Sequence, residues 1–241
     1  MNDQLHSTET ILRRVLWFGV ALLVAVGITA AIGRTFSLAI GGLTYRQINL
    51  MLPAQTVQEG YDFDRWFLSY PLLTFLHVIP GGLLLALAPL QFSSRIRNRH
   101  LRFHRWSGRV LVLAALLVGL SGLVLAAKFP YGGPVAAAAA FVAGTAFLIA
   151  LFQAVMAIRR RDVVAHREWM IRMFALGVAI ATIRVIGLLV LVLTGASFQR
   201  SARAVFWTGW VSTFAVAELW IRHTRPGRVS SAHRPVAATE G

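Results

Sequence analysis

The sequence predicts an all-α, polytopic membrane protein with six transmembrane helices and a central four-helix bundle from spans two to five. Three observations predict it. Of 241 residues, 57% are hydrophobic and only 14% charged, with mean hydropathy +0.65, whereas a soluble domain carries about a quarter charged residues. Several apolar stretches reach the roughly 20 residues that a bilayer-spanning helix needs. The formal net charge of +15 sits in short loops between those stretches and not on one soluble face, which argues against nucleic acid as a partner.

Residues 1–14 read as a polar amino-terminal tail ending in Arg13 and Arg14. Residues 15–65 hold the first span, Val15–Ile32, and an outer loop. The apolar run exceeds the 7–15 residues of a signal-peptide core, and Thr29-Ala30-Ala31 is a weak cleavage site, so the span is expected to be retained. The loop carries Glu59, Asp62 and Asp64, and its Leu43–Leu52 part has the pattern of a short interfacial helix. Tyr61, Phe63, Trp66, Phe67 and Tyr70 form an aromatic belt at the start of span two.

Residues 66–195 hold spans two to five: about Trp66–Leu90, Trp106–Ala127, Val135–Ile158 and Trp169–Thr194. The short turn Lys128–Pro134 makes spans three and four antiparallel neighbours. Residues 196–222 supply the sixth span, about Ala204–Ile221, and 223–241 a polar tail. Two arginine-rich hinges, Phe92–Arg109 and Arg159–Arg172, share a His-Arg pair, a Trp and an Arg. They suggest two matching helical hairpins around a shared centre.

Six spans place both termini on one side. That side counts 17 lysines and arginines, the other 6, with Arg184 left inside the membrane. Positive residues mark the cytoplasmic side, so a bacterial-type inner membrane with cytoplasmic termini is expected. The hinge arginines then face anionic lipid headgroups.

His77 lies eleven residues beyond Trp66, roughly 16 Å along the helix at ~1.5 Å per residue. Pro80 leaves the Leu76 carbonyl without its helical donor, and Gly81, one turn on, leaves room beside the ring. An ionisable residue at that depth marks a functional site or a neutral imidazole bonded to a freed carbonyl. Arg184 lies at similar depth in span five. The same layer holds Ser121, Thr145 and Ser212 but no carboxylate, and arginine cannot shed its proton. Carbonyls, His77, water or an anionic ligand must therefore face it.

His104 and His166 sit at equal depth at the hinge ends of spans three and five. Two imidazoles so placed suit bis-histidine ligation of one haem b, with Gly108 admitting the macrocycle and Arg109 and Arg172 holding its propionates. A metal ion and plain interface anchoring are the alternatives. Glu218 and Arg222 have the spacing of a helix-face ion pair; the alternative is that Glu218 reaches the hinge histidines. There is no cysteine, so disulfides, thiolate metal sites and iron–sulfur clusters are excluded. No phosphate loop, zinc helix or nucleophile elbow occurs.

Taken together, Leu76-His77 with Pro80-Gly81-Gly82, Pro89-Leu90-Gln91-Phe92, His104-Arg105-Trp106 with Gly108-Arg109, His166 with Trp169-Met170-Ile171-Arg172, and Arg184 resemble the predicted membrane proteins named domain of unknown function 2306. The resemblance covers residues 66–195. It implies a multi-pass membrane protein with His77, His104, His166 and Arg184 as its characteristic polar positions. A looser similarity is to four-helix transmembrane b-type cytochromes. A di-haem version would want four paired histidines, and His77 lies roughly 15–20 Å from the hinge level by helical rise, so one haem is the limit.

Two functions are expected from these residues. One is a membrane redox component with haem b between His104 and His166, and a second pocket at His77 and Arg184 for a quinone-like or anionic small molecule. The other is a non-enzymatic transport, lipid-binding or structural protein.

Overall fold

The computed structural model describes residues 2–39 and 65–225. The expected interfacial helix Leu43–Leu52, the acids Glu59, Asp62 and Asp64, the aromatics Tyr61 and Phe63, and most of the polar tail lie outside them. The described chain is helical: α1 Asn2–Ala39, α2 Pro71–Gln91, α3 Ser94–Arg99, α4 Leu101–Lys128, α5 Pro134–Arg159, α6 Val163–Thr194 and α7 Phe198–Thr224. All but α3 are long and apolar enough to cross a membrane. Phe18, Leu72 and Leu193 are 74%, 72% and 78% exposed. Large apolar side chains turned outward along the long helices are what a hydrocarbon solvent requires.

Several boundaries differ from expectation: α4, α6 and α7 begin at Leu101, Val163 and Phe198, ahead of the expected Trp106, Trp169 and Ala204, and two further differences have a backbone reason. The polar tail and loop predicted on either side of span one are partly helix, because α1 runs through both. Once a turn exists, adding a residue to it is easy, and no proline interrupts residues 2–39. Span two starts at Pro71 and not at Trp66. Residues 65–69 make a separate helical turn, because proline disfavours helical geometry in the residue before it. The buried Thr74 hydroxyl ties the junction by donating to the carbonyls of Phe67 at 3.1 Å and Tyr70 at 3.0 Å.

The helices α2, α4, α5 and α6 pack in that order around a centre, and the ring closes poorly because α2 and α6 barely touch. Against that seam lies α1, contacting both, while α7 packs on α6 and α5. The core is built from small residues. On α5, Ala136, Ala139, Ala143, Ala150, Ala154 and Ala157 are buried in a stripe at helical spacing. In a bilayer helices gain little by hiding apolar surface from lipid, so close backbone approach supplies the attraction.

The two hinges are unlike each other. Ser93 caps α3, accepting from Ile96 N at 3.4 Å. The second hinge is a tight turn at Arg160–Asp162, with Arg161 left-handed at φ 61° and Asp162 capping α6 through Ala165 N at 2.9 Å. The helices α2 and α4, and α5 and α6, pack as two pairs, joined by unlike segments. At the other end of the bundle, Gly132 and Gly133 adopt φ 76° and 84°, which side-chain-bearing residues rarely tolerate. They return the chain tightly from α4 into α5. We call these the hinge end and the turn end.

Candidate functional site

A cavity of about 300 Å³ opens inside the bundle, at the small end of the range typical of small-molecule sites, ~300–1,000 Å³. Six helices wall it. α2 contributes His77, Gly81 and Gly82, α4 Gly119 and Gly122, and α6 Gly177, Ile180 and Arg184. α5 adds Gly144 and Phe147, α7 Phe206 and Trp210, and α1 Gly27, Ala30, Ala31 and Arg34. Most of the lining glycines seat a side chain of a neighbouring helix, as Gly119 does Leu148 and Gly144 does Leu123. A Cβ on Gly81 would meet only Val118, at 3.8 Å, so this position faces open volume.

His77 is anchored across the helix pair. Its Nδ1 donates to the Val118 carbonyl at 3.2 Å and lies 3.1 Å from Ser121 Oγ. A carbonyl can only accept, so Nδ1 carries the hydrogen, and Nε2 of the neutral ring is left as an acceptor. The partner is a carbonyl of α4 and not the Leu76 carbonyl freed by Pro80. The glycine that makes room for the ring is likewise Gly122, where a Cβ would stand 3.1 Å from His77 Cε1. Gly81 opens onto the cavity instead.

Arg184 reaches the same cavity from α6, its Nη1 donating to the Ile180 carbonyl at 3.1 Å. The two polar side chains expected at one depth thus line one space. Arg34 and Tyr131 join them, and neither was singled out in the sequence. Arg34 stacks over Phe67 with Cζ 4.7 Å from the ring centroid. Its signal was present in the chain, since Gly27, Ala30, Ala31 and Arg34 follow the i, i+3, i+4, i+7 spacing of one helix face. Toward the turn end the rings of Phe67, Phe129, Tyr131 and Phe198 pack in succession at 5.9, 5.5 and 5.9 Å.

The family model described as "Predicted membrane protein (DUF2306)" matches residues 74–221. The chain belongs to that family. No curated protein matches the chain, and no solved structure does. In this DUF2306 protein the matched segment runs from Thr74 in α2 to Ile221 in α7, so α1 and the cavity wall it supplies lie outside it.

The hinge end of the DUF2306 segment is organised differently from expectation. His104 and His166 both fall in the opening turns of their helices and are close enough to interact electrostatically. His166 Nδ1 donates to the Ala154 carbonyl at 2.8 Å, while His104 Nδ1 is buried with no hydrogen-bond partner. The space beside Gly108, expected to admit a macrocycle, faces the Gln91 side chain: a Cβ there would lie 3.3 Å from its Oε1. Gln91 also donates to Ser107 Oγ at 2.7 Å. Arg109 is exposed. Arg172, expected to hold a propionate, stacks on Trp169 at 4.7 Å and donates to both Glu218 oxygens, at 2.5 and 3.0 Å.

Glu218 therefore reaches across to α6 and not along α7 to Arg222. The buried Glu168, a residue without a distinguishing signal in the sequence, receives both Arg225 donors at 2.8 Å. Arg167 Nη2 donates to Thr224 Oγ1 at 2.8 Å. These pairs bolt the ends of α6 and α7 together. Among the described residues no group of three or more metal-ligating His, Asp or Glu side chains converges.

Proposed function

We propose that this protein is a membrane-embedded binding protein whose cavity takes a small amphipathic molecule, quinone-like or anionic at its head. The observation that carries the reading is the convergence of His77 and Arg184 on one cavity that is otherwise mostly apolar. Apolar pockets with a few convergent polar groups are the usual form of small-molecule sites. His77 Nε2 supplies an acceptor and Arg184 a permanently charged donor for the head. The apolar lining, with Leu84, Phe147, Phe206 and Trp210, receives the apolar body. The core that forms the site is residues 66–195, with α1 and α7 as additions to it.

The same reading sets the hinge end in the cytoplasm of a bacterial-type inner membrane, on the arginine asymmetry between the two sides. The exposed Arg95, Arg97, Arg99, Arg102, Arg105 and Arg109 then lie among anionic headgroups, with Trp106, 64% exposed, at the interface.

The cavity wall contains Trp210, which gives a direct readout. Decylubiquinone and a nitroxide-labelled stearate both quench tryptophan on contact. In detergent or nanodiscs we expect at least one of them to quench saturably, and the saturable part to shrink in Trp210→Phe. Quenching that stays linear with both probes, and is the same in that variant, counts the reading out.

A second reading places one haem b between His104 and His166. Its support is the imidazole pair itself, with His166 oriented by a backbone carbonyl as metal-ligating histidines commonly are. The occupied space at Gly108 and the commitment of Arg172 to Glu218 weigh against it. Protein expressed with added haem should show no Soret band in oxidised or dithionite-reduced spectra. A band present in the wild type and lost in both His104→Ala and His166→Ala would instead establish the haem site.

A further inference from the structure

Away from the cavity, the hinge end gathers cationic side chains and imidazoles from three helices. Arg97 comes from α3, which packs on α4, and lies close enough to repel both His104 of α4 and Arg167 of α6. Arg105 and His166 stand near His104 as well. Among the described residues the carboxylates of this end are engaged elsewhere. Glu168 stands near Arg167, but both its oxygens take donors of Arg225. Glu218 is held by Arg172, and Asp162 caps α6. Arginine cannot relieve the crowding by shedding its proton, so an anion standing among these groups lowers their mutual repulsion. The two histidines differ. His104 Nδ1 is buried and meets no acceptor, so the hydrogen of its neutral ring belongs on Nε2, a further donor. His166 spends its Nδ1 hydrogen on the Ala154 carbonyl. A metal cation would find one bare imidazole nitrogen among several positive charges, whereas an anion finds donors.

We infer that Arg97, Arg105, Arg167 and His104 form a discrete site for a phosphate ester at the hinge end, separate from the cavity. The inference rests on the headgroup placement above and narrows it from a charged surface to named residues. The planar fork of arginine matches two phosphate oxygens at once, and the imidazole N–H serves a third. Arg167 keeps donors for this purpose, since only its Nη2 is engaged, with Thr224. Leu101, Phe103 and Trp106, in the same turns of α4, are 44%, 43% and 64% exposed. Exposed apolar and aromatic groups beside the arginines suit a phosphate carried on a lipid, and a soluble phosphate ester shares the same chemistry.

The test removes two positive charges in two ways. Each residue turns ~100° around a helix, so Arg95 and Arg99 lie roughly 200° from Arg97 on α3. Arg97→Ala/Arg167→Gln strips the site, with glutamine keeping a donor toward Thr224, and Arg95→Ala/Arg99→Ala strips as much charge outside it. The full-length chain in detergent is titrated calorimetrically with dioctanoylphosphatidylglycerol, dioctanoylphosphatidylcholine and inorganic phosphate. The wild type is expected to bind the glycerol lipid at least tenfold more tightly than the choline lipid. The site variant should lose at least tenfold and the control variant less than threefold. His104→Phe, which keeps a ring and deletes the donor, should lose several-fold with its melting temperature unchanged. Inorganic phosphate that binds as tightly as the glycerol lipid, with the same losses, assigns the site to a soluble phosphate ester. Phosphate at least tenfold weaker assigns it to a lipid. Equal losses in the two double variants, or none in either, overturn the inference and leave a diffuse charged surface. If the wild type binds inorganic phosphate not at all and the two lipids alike, the headgroup reading falls and this one with it.

Discussion

Gly81→Leu is expected to abolish saturable quenching, weakening probe affinity by more than tenfold, or about 1.4 kcal/mol, while Gly81→Ala binds much as the wild type does. The contrast follows from what each side chain meets. The first added carbon makes an ordinary contact with Val118 at 3.8 Å, so alanine fits without rearrangement. Leucine extends from there into the volume shared by His77 and Arg184 and occupies the space the ligand would fill. Because no packed side chain stands in that volume, the larger residue enters it without forcing the core apart, which is the usual source of overpacking cost. The melting temperature of Gly81→Leu in detergent should therefore stay near that of the wild type. Unaltered binding in this variant would move the site elsewhere.

Arg184→Leu and Arg184→Lys separate the two kinds of head. A hydrogen bond to a charged group contributes about 1.5–3 kcal/mol, so loss of the guanidinium is expected to weaken labelled stearate by roughly 10–150-fold. Decylubiquinone, whose carbonyl head is neutral, should lose less. Lysine keeps the charge but not the planar fork, and is expected to fall between wild type and leucine. The leucine variant should insert into the membrane at least as well as the wild type, since arginine at the centre of a span costs about 2.5–3.5 kcal/mol on insertion scales. A loss of binding is then attributable to the site and not to failed folding. Equal, wild-type affinity in both variants for both probes would make Arg184 a structural residue only.

The spans, and the two polar residues set among them, were legible because hydropathy and depth along a helix are local properties. His77 and Arg184 stand out against their apolar neighbours wherever the helices go. Both lie nearer the turn end of their helices, His77 six residues from Pro71 and Arg184 ten from Thr194, so position along the helix puts them in one layer, and the packing turns both to one cavity. Ser121, placed in the same layer by depth, does lie against His77.

The partners were not legible, and the errors share a cause. Gly81 and Gly122 both lie near the level of the histidine, yet only Gly122 faces the ring. Gly108 looked like room for a macrocycle and accommodates Gln91. Glu218 stands four residues from Arg222 but pairs with Arg172, because at the end of α7 the neighbouring helix offers a closer guanidinium. Arg34 looked like a loop residue, but α1 runs on to Ala39.

The chain alone therefore carries the membrane class, the span count and the positions of His77 and Arg184 within apolar helices. These depend on composition summed over a turn or a span. Only the packed structure decides which way a side chain points around its helix and what stands opposite. That depends on the crossing of helices distant in sequence, here on α1 lying across the seam between α2 and α6. The cavity belongs to the second kind of fact, since no single helix contains it.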